Sequence, residues 1–203
     1  MIKTIIFDFG NVFINLDIEN GFRKTLELLK IESLSDDIIK MNKLYEVGQI
    51  STDNFIAFYA EKFPHLNNNE LIDILNLILK DFPKHRLEFL KQLKSQNNYE
   101  LILLSNTNEL HIKWIKENVS FYNEFKDCFD AFYLSQNIQL RKPNTDIFEF
   151  VLKTHQLKAN ECLFVDDNAD NITTAKKMHI HTWHITPYEE DVVDLFSTKK
   201  ELF

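Results

Sequence analysis

Five short apolar segments alternate with segments of helical periodicity, and this alternation constrains the fold more than any other feature of the sequence. The apolar segments are residues 2–7, 101–104, 131–134, 162–165 and 182–185. Between the later ones, apolar residues recur at helical spacing over residues 107–118, 146–154 and 171–178. Short buried strands that alternate with helices are typical of a parallel sheet covered by helices. We therefore predict an α/β fold with a parallel sheet.

The long connection between the first two predicted strands contains helical patterns only. These lie at residues 20–29, 36–46, 52–63 and 69–80, and a further helix at 86–94 leads back to the sheet. A crossover between parallel strands needs about a dozen residues. This connection is several times longer, so it must bury its own apolar faces. We predict a helical domain at residues 17–82, inserted into a sheet domain formed by residues 1–16 and 83–203.

The composition excludes several classes of function. The chain is 44% hydrophobic, which suits a packed core, and its net charge of −8 opposes binding to nucleic acid or to an anionic membrane. No apolar run approaches the roughly 18 residues of a membrane-spanning helix. The first residues, with charges at Lys3 and Asp8, do not resemble a signal peptide. Cys128 and Cys162 lack C-x-x-C spacing, so we predict free thiols in a cytoplasmic protein.

Residues able to bind anions or cations follow four of the five predicted strands. In chain order they are Asp8, then Ser105 and Asn106, then Arg141 and Lys142, then Asp166 and Asp167. In open α/β sheets, ligands bind outside the carboxyl ends of the strands. The sequence therefore predicts one site that combines carboxylates, a hydroxyl group and an ammonium group.

The order of these motifs resembles that of the haloacid dehalogenase superfamily, whose phosphatases use an aspartate nucleophile. The resemblance covers the whole chain and implies a Rossmann-like core with a helical cap inserted after the first strand. The segments DFGNV, YEVGQIS and DDNADN are most similar to bacterial sugar-phosphate phosphatases, including a glucose-1-phosphate phosphatase. They are also similar to the N-terminal phosphatase domain of soluble epoxide hydrolases.

The resemblance implies Mg²⁺-dependent hydrolysis of a small phosphomonoester through an aspartyl-phosphate at Asp8. Magnesium is then expected on Asp8, on the backbone carbonyl of Gly10 and on Asp167. Asp167 is preferred to Asp166 because the metal-binding acid of the family stands four residues before an outer Asp or Asn, which here is Asn171. Asp166 would then lie outside the ligand set or share the ion.

Phosphate binding is assigned by the same resemblance to the loops after the second and third strands. Ser105 and the backbone amides that follow it, including that of Asn106, would hold phosphate oxygens. Lys142 would bind phosphate and also take part in catalysis, by neutralising charge on the phosphate and on Asp8. Arg141 is expected to be solvated or to form a salt bridge. The cap loop with Tyr45, Glu46 and Gly48 either touches the substrate or is a plain turn.

Gly10 departs from the family pattern, because most of these phosphatases carry a second aspartate there that protonates the leaving alcohol. General acid–base catalysis is typically worth about 10²–10⁴-fold. Three interpretations are open. The leaving group needs little protonation, as in an anomeric sugar phosphate; another residue such as Asn11, Asp17 or Tyr45 supplies the proton; or the protein binds a phosphometabolite without hydrolysing it.

A metal-free 2-haloacid dehalogenase is a further alternative, because those enzymes also lack the second acid. Against it, the adjacent Asp166 and Asp167 end a buried strand, which is costly without a cation. This pair could instead cap the helix at residues 171–178, although Asp170 is the residue expected to cap it. The histidines of HIHTWH invite a zinc site, but no third ligand stands at a useful spacing.

Overall fold

A computed structural model describes residues 1–203 and contains a five-stranded parallel sheet. The strands are β1 (Thr4–Phe7), β2 (Glu100–Ser105), β3 (Ala131–Leu134), β4 (Cys162–Asp166) and β5 (His181–His184). Their spatial order is β3-β2-β1-β4-β5. The chain thus builds outward from β1 in both directions, and the strand order reverses at β1. This confirms the predicted fold class, with strand ends shifted by one or two residues.

Eleven α-helices accompany the sheet. Five lie between β1 and β2, and the first four of them are α1 (Ile18–Leu29), α2 (Asp36–Glu46), α3 (Thr52–Lys62) and α4 (Asn68–Leu75). The others are α5 (Lys84–Gln96), α6 (Glu109–Asn118), α7 (Tyr122–Asp127), α8 (Ser135–Ile138), α9 (Thr145–Thr154), α10 (Ala169–Lys177) and α11 (Leu195–Thr198). None of them is both long and apolar enough to cross a membrane.

Helix α4 ends at Leu75, five residues before the predicted end of that helix. The following residues turn and run back beside the chain that leaves β1. Backbone hydrogen bonds join Asn15 to Asp81 at 2.9 Å and Asp17 to Ile78 at 2.9 Å. We call these segments, residues 15–17 and 78–81, the paired linkers. Pairing with a partner segment supplies the hydrogen bonds that a longer helix would have made.

The helices between the linkers share an apolar core of their own. It contains ten buried residues, of which nine lie between Leu29 and Ile74 and the tenth is Leu110 of α6. This separate cluster is what a helical cap at residues 17–82 requires, and we retain that domain division as a proposal.

Phenylalanine side chains pack beneath the loop that follows β1. Phe9 stacks on Phe125 with ring centroids 5.0 Å apart, and Phe13 meets the same ring edge-on at 5.0 Å. Both are at most 2% exposed. Aromatic pairs of this geometry contribute about 0.5–1.5 kcal/mol beyond the area they bury. The loop from Phe9 to Phe13 is thereby anchored at both ends, which fixes the position of the residues between them.

Candidate active site

Three carboxylates converge at the carboxyl edge of the sheet. Asp8 directly follows β1, whereas Asp166 ends the neighbouring strand β4 and Asp167 follows it. One carboxylate oxygen of each lies within 4.8 Å of the others, and no other group of three or more acidic, histidine or cysteine side chains is as close. We call these residues the acidic cluster. Such a set of oxygen atoms matches the ligands that Mg²⁺ takes from proteins.

A buried ammonium group lies between two of these acids. Lys142 Nζ is 2.8 Å from Asp8 Oδ1 and 2.7 Å from Asp166 Oδ2. The lysine is 1% exposed. Burial would lower the pKa of Lys142, but the two carboxylates outweigh that effect and raise it. The lysine is therefore charged at neutral pH and balances one of the negative charges.

One ammonium group does not balance three carboxylates. Burial raises the pKa of Asp8 to about 7; the charge of Lys142 acts against this shift, and the charges of Asp166 and Asp167 add to it. Burial also raises the pKa of Asp167, although a hydrogen bond from Asn11 opposes the rise. The acidic cluster thus resists full ionisation by itself. A bound divalent cation would remove that resistance, so these residues fit the magnesium ion that the resemblance implies.

Asp166 and Asp167 differ in how many donors they face. Asp166 accepts hydrogen bonds from Lys142 Nζ, from the Asn168 backbone at 2.7 Å and from Asn171 Nδ2 at 3.0 and 3.1 Å. Asp167 accepts one side-chain hydrogen bond, from Asn11. Its carboxylate is the freer of the two to bind a cation. This difference favours Asp167 as the ligand and Asn171 as a supporting residue, as predicted, but the assignment stays a prediction.

The interpretation of the paired acids as helix caps is wrong. Helix α10 is capped by Asn168, whose side chain accepts hydrogen bonds from the backbone nitrogens of Asp170 and Asn171. Asparagine is among the best capping residues. The acids before it are consequently not needed for capping and point into the cluster.

The loops after β2 and β3 are joined through Asn106. Its Nδ2 donates to the Lys142 carbonyl at 2.8 Å, and its Oδ1 accepts from the Lys142 backbone nitrogen at 2.9 Å. The side chain therefore positions Lys142, and the predicted phosphate contact of Asn106 falls to its backbone amide. Ser105 is 2% exposed at the end of β2, and its hydroxyl group makes only a long 3.5 Å contact to the Asn106 carbonyl. Their phosphate-binding roles remain predictions.

None of the three candidate proton donors is poised to act at the cluster. The carboxamide of Asn11 is used in two hydrogen bonds. Asp17 caps helix α1, and a hydrogen bond from Asn20 lowers its pKa, so it is ionised. The Tyr45 hydroxyl accepts from the Leu110 backbone at 3.1 Å within the apolar core of the cap. None of these three side chains therefore supplies a ready proton donor at the acidic cluster.

The cap loop YEVGQIS contacts the sheet domain. Arg141 Nε lies 2.6 Å from Glu46 Oε1, which is the salt bridge expected for this arginine. Gly48 has a φ angle of +66°, and a Cβ atom there would stand 2.1 Å from the Gln136 carbonyl oxygen. Only glycine tolerates both the positive φ angle and the close approach of the Gln136 carbonyl oxygen. Residues 46 and 48 thus fasten the cap beside the loop that carries Lys142.

Two large cavities lie away from the acidic cluster. A cavity of about 970 Å³ is lined by residues of α3, α4 and α6, and one of about 570 Å³ lies between the cap loop and helices α6 and α7. The largest pocket is the usual first candidate for an active site. Neither cavity is lined by Asp8 or Lys142. The candidate active site is therefore identified by its side chains and not by the volume of a cavity.

Several contacts of the site have no clear signal in the sequence. The side chain of Leu16 lies over Gly10, so that a Cβ atom on Gly10 would be 2.7 Å from Leu16 Cδ1. His184 donates a hydrogen bond to the Asp167 carbonyl at 2.9 Å, which gives one histidine of HIHTWH a structural role. An asparagine after a glycine does indicate a turn, but nothing indicates that Asn11 binds Asp167.

The strand order, with the acidic cluster at the point where that order reverses, defines a Rossmann-like α/β protein, and a family model identifies its family. The model for haloacid dehalogenase-like hydrolases matches residues 2–179. The chain belongs to that family, as the motifs predicted.

Relatives from Bacteroides thetaiotaomicron and Porphyromonas gingivalis cover nearly the whole chain. A D-ribitol-5-phosphate phosphatase of Bacteroides thetaiotaomicron is 28% identical in an alignment 194 residues long that covers 90% of this chain and 91% of the relative. A haloacid dehalogenase family enzyme of the same bacterium, crystallised with magnesium and inorganic phosphate, has a TM-score of 0.81 and 30% identity. The alignment covers 97% of this chain and 100% of that one. A haloacid dehalogenase-like family hydrolase of Porphyromonas gingivalis has a TM-score of 0.82 and 25% identity. The alignment covers 100% of this chain and 98% of that one.

Proposed function

We propose that the protein is a magnesium-dependent phosphatase that hydrolyses a small phosphorylated sugar or sugar alcohol. The observation that carries this proposal is the acidic cluster, with Lys142 between Asp8 and Asp166 at 2.8 and 2.7 Å. The comparisons support it, because a relative is named for its action on D-ribitol 5-phosphate and a similar solved structure holds magnesium and inorganic phosphate. A cytoplasmic location fits the two buried free cysteines, and the net charge of −8 fits a protein without a nucleic-acid partner.

The reaction takes place in two steps at Asp8. Its carboxylate oxygen forms a bond to phosphorus as the ester P–O bond breaks, and the leaving alkoxide takes a proton from water. A second water then attacks the phosphorus of the aspartyl-phosphate and loses a proton to the hydroxide left by the first step, which releases inorganic phosphate and restores Asp8. Lys142 holds the nucleophile in place and neutralises charge that develops on the phosphoryl group. Magnesium, bound by Asp8, Asp167 and the Gly10 carbonyl, would neutralise the repulsion between the carboxylate and the phosphate.

A substrate panel tests the proposal. We expect phosphate release from ribitol 5-phosphate, other pentose and pentitol phosphates, glucose 1-phosphate or p-nitrophenyl phosphate, with Mg²⁺ present and not after chelation. A phosphometabolite-binding protein would instead show a heat of binding without phosphate release. A 2-haloacid dehalogenase would release halide from 2-chloropropionate whether or not chelator is present. Either of these two results would contradict the proposal.

The Gly10→Asp substitution tests why the second acid is absent. An introduced Cβ atom meets Leu16 Cδ1 at 2.7 Å, so the new carboxylate cannot enter unless Leu16 moves. We expect Gly10→Asp with Leu16→Ala to raise kcat for a sugar-alcohol phosphate at least about 10-fold over Leu16→Ala alone. Gly10→Asp alone should gain less, and an anomeric phosphate should gain less than an alcohol phosphate.

Gly10→Ala serves as the control for this series, because it makes the same steric contact with Leu16 without adding an acid. If Gly10→Asp alone matched the double variant, Leu16 would not be the obstacle. If neither variant changed kcat, protonation of the leaving group would not limit the rate.

A further inference from the structure

Asn11 lies in the tight loop that follows Asp8, and its backbone has an uncommon conformation. Its φ angle is 55°, in the left-handed region that asparagine enters more readily than most residues. The Asn11 backbone nitrogen donates to the Ile14 carbonyl at 2.7 Å and closes the loop. The residue is 7% exposed. Its side chain therefore leaves the loop in one fixed direction, beneath the surface.

Both ends of the Asn11 carboxamide are used. Nδ2 donates to Asp167 Oδ2 at 2.7 Å, and Oδ1 accepts from the Leu16 backbone nitrogen at 3.0 Å. Leu16 belongs to the paired linkers, where it pairs with Leu79. One side chain thus connects an acid of the cluster with the place where the cap joins the sheet domain.

We propose that Asn11 is a positioning residue for the magnesium site: it fixes the orientation of the Asp167 carboxylate and ties that orientation to the paired linkers. This inference rests on the proposed function, which places the ion on Asp167. Asn11 supplies the one side-chain hydrogen bond to Asp167, so without it that carboxylate is free to rotate. Groups that orient a metal ligand commonly contribute about 10–100-fold to metal affinity.

Asn11→Gly removes the carboxamide and retains a residue that tolerates a positive φ angle. Isothermal titration of the protein with MgCl₂, in the absence of substrate, should give a Kd about 10–100-fold larger than that of the wild type. Asn97→Gly is the matched control, because Asn97 also has a positive φ angle, of 52°, but ends helix α5 on the surface. The control should bind Mg²⁺ as the wild type does. Equal Kd values for Asn11→Gly and wild type would overturn the proposal.

A measurement on the wild-type protein covers the case in which Asn11→Gly does not fold. In a nuclear magnetic resonance titration with MgCl₂, the side-chain amide of Asn11 and the backbone amide of Leu16 should both shift, and the side-chain amide of Asn97 should not. Signals of Asn11 and Leu16 that stay in place up to saturation would overturn the proposal. Failure of the proposed function would be distinguishable, because it would show as a wild-type protein that binds Mg²⁺ normally and releases no phosphate from any ester.

Discussion

Asp8→Asn is expected to lower phosphate release by at least about 10³-fold, because the substitution removes the oxygen nucleophile. The same substitution should not weaken the fold. The raised pKa of Asp8, about 7, means that the surroundings of this residue disfavour its charge. A neutral carboxamide of the same shape avoids that penalty at pH 8. We therefore expect the metal-free variant to melt no lower than the metal-free wild type.

Three measurements separate this result from a loss of structure. The first is kcat with Mg²⁺, the second is Tm in chelator at pH 8, and the third is mass spectrometry after acid quenching. The wild type should carry a phosphoryl group on the peptide that contains Asp8, and Asp8→Asn should not. Asp170→Asn is the matched control, because Asp170 is exposed in the first turn of α10 and lies outside the acidic cluster. Normal hydrolysis by Asp8→Asn would show that another group attacks phosphorus.

The sequence predicted the sheet because the strands are short and the three central ones, β1, β2 and β4, are apolar and buried on both faces, which leaves little choice of pattern. The sequence also predicted that Asp8, Asp166 and Asp167 lie at one edge of the sheet, because the carboxyl ends of parallel strands meet at the same edge. Helices α7 and α8, of six and four residues, were not predicted because a helix of one or two turns has no periodicity to detect. Their place is set by packing against the sheet.

The finer features of the site depend on contacts between distant parts of the chain. Asn11 and Asp167 are 156 residues apart, and no local pattern relates them. Nothing in the sequence distinguishes Leu16 from other apolar residues, although its side chain occupies the space beside Gly10. The capping role of Asn168 was missed because Asp170 and the two acids before Asn168 are also good caps, and Asp170 was expected to cap the helix. In each case a local preference was compatible with several structures, and the tertiary packing selected one.

Lys142→Met is expected to destabilise the metal-free protein by about 3–5 kcal/mol, because removal of one partner leaves buried carboxylates without a counter-charge. Asp166 is fully buried and Asp8 is 9% exposed, so water cannot replace the ammonium group. For a chain of this size, that loss corresponds to a fall in Tm of about 6–20 °C. Phosphate release should fall at least about 10²-fold, since the lysine also stabilises the charge of the phosphoryl group.

Thermal unfolding of Lys142→Met in chelator and in MgCl₂ separates the two roles of the lysine. A magnesium ion on Asp8 supplies part of the missing positive charge, so Mg²⁺ should raise the Tm of the variant by more than that of the wild type. Activity should not return, because the ion does not replace the ammonium group beside the phosphate. Arg141→Met is the matched control: the Arg141–Glu46 pair is partly exposed, and such pairs contribute only about 0–1 kcal/mol. If Lys142→Met melted in chelator like Arg141→Met, the two buried acids would not need the lysine, and the electrostatic account of the acidic cluster would be wrong.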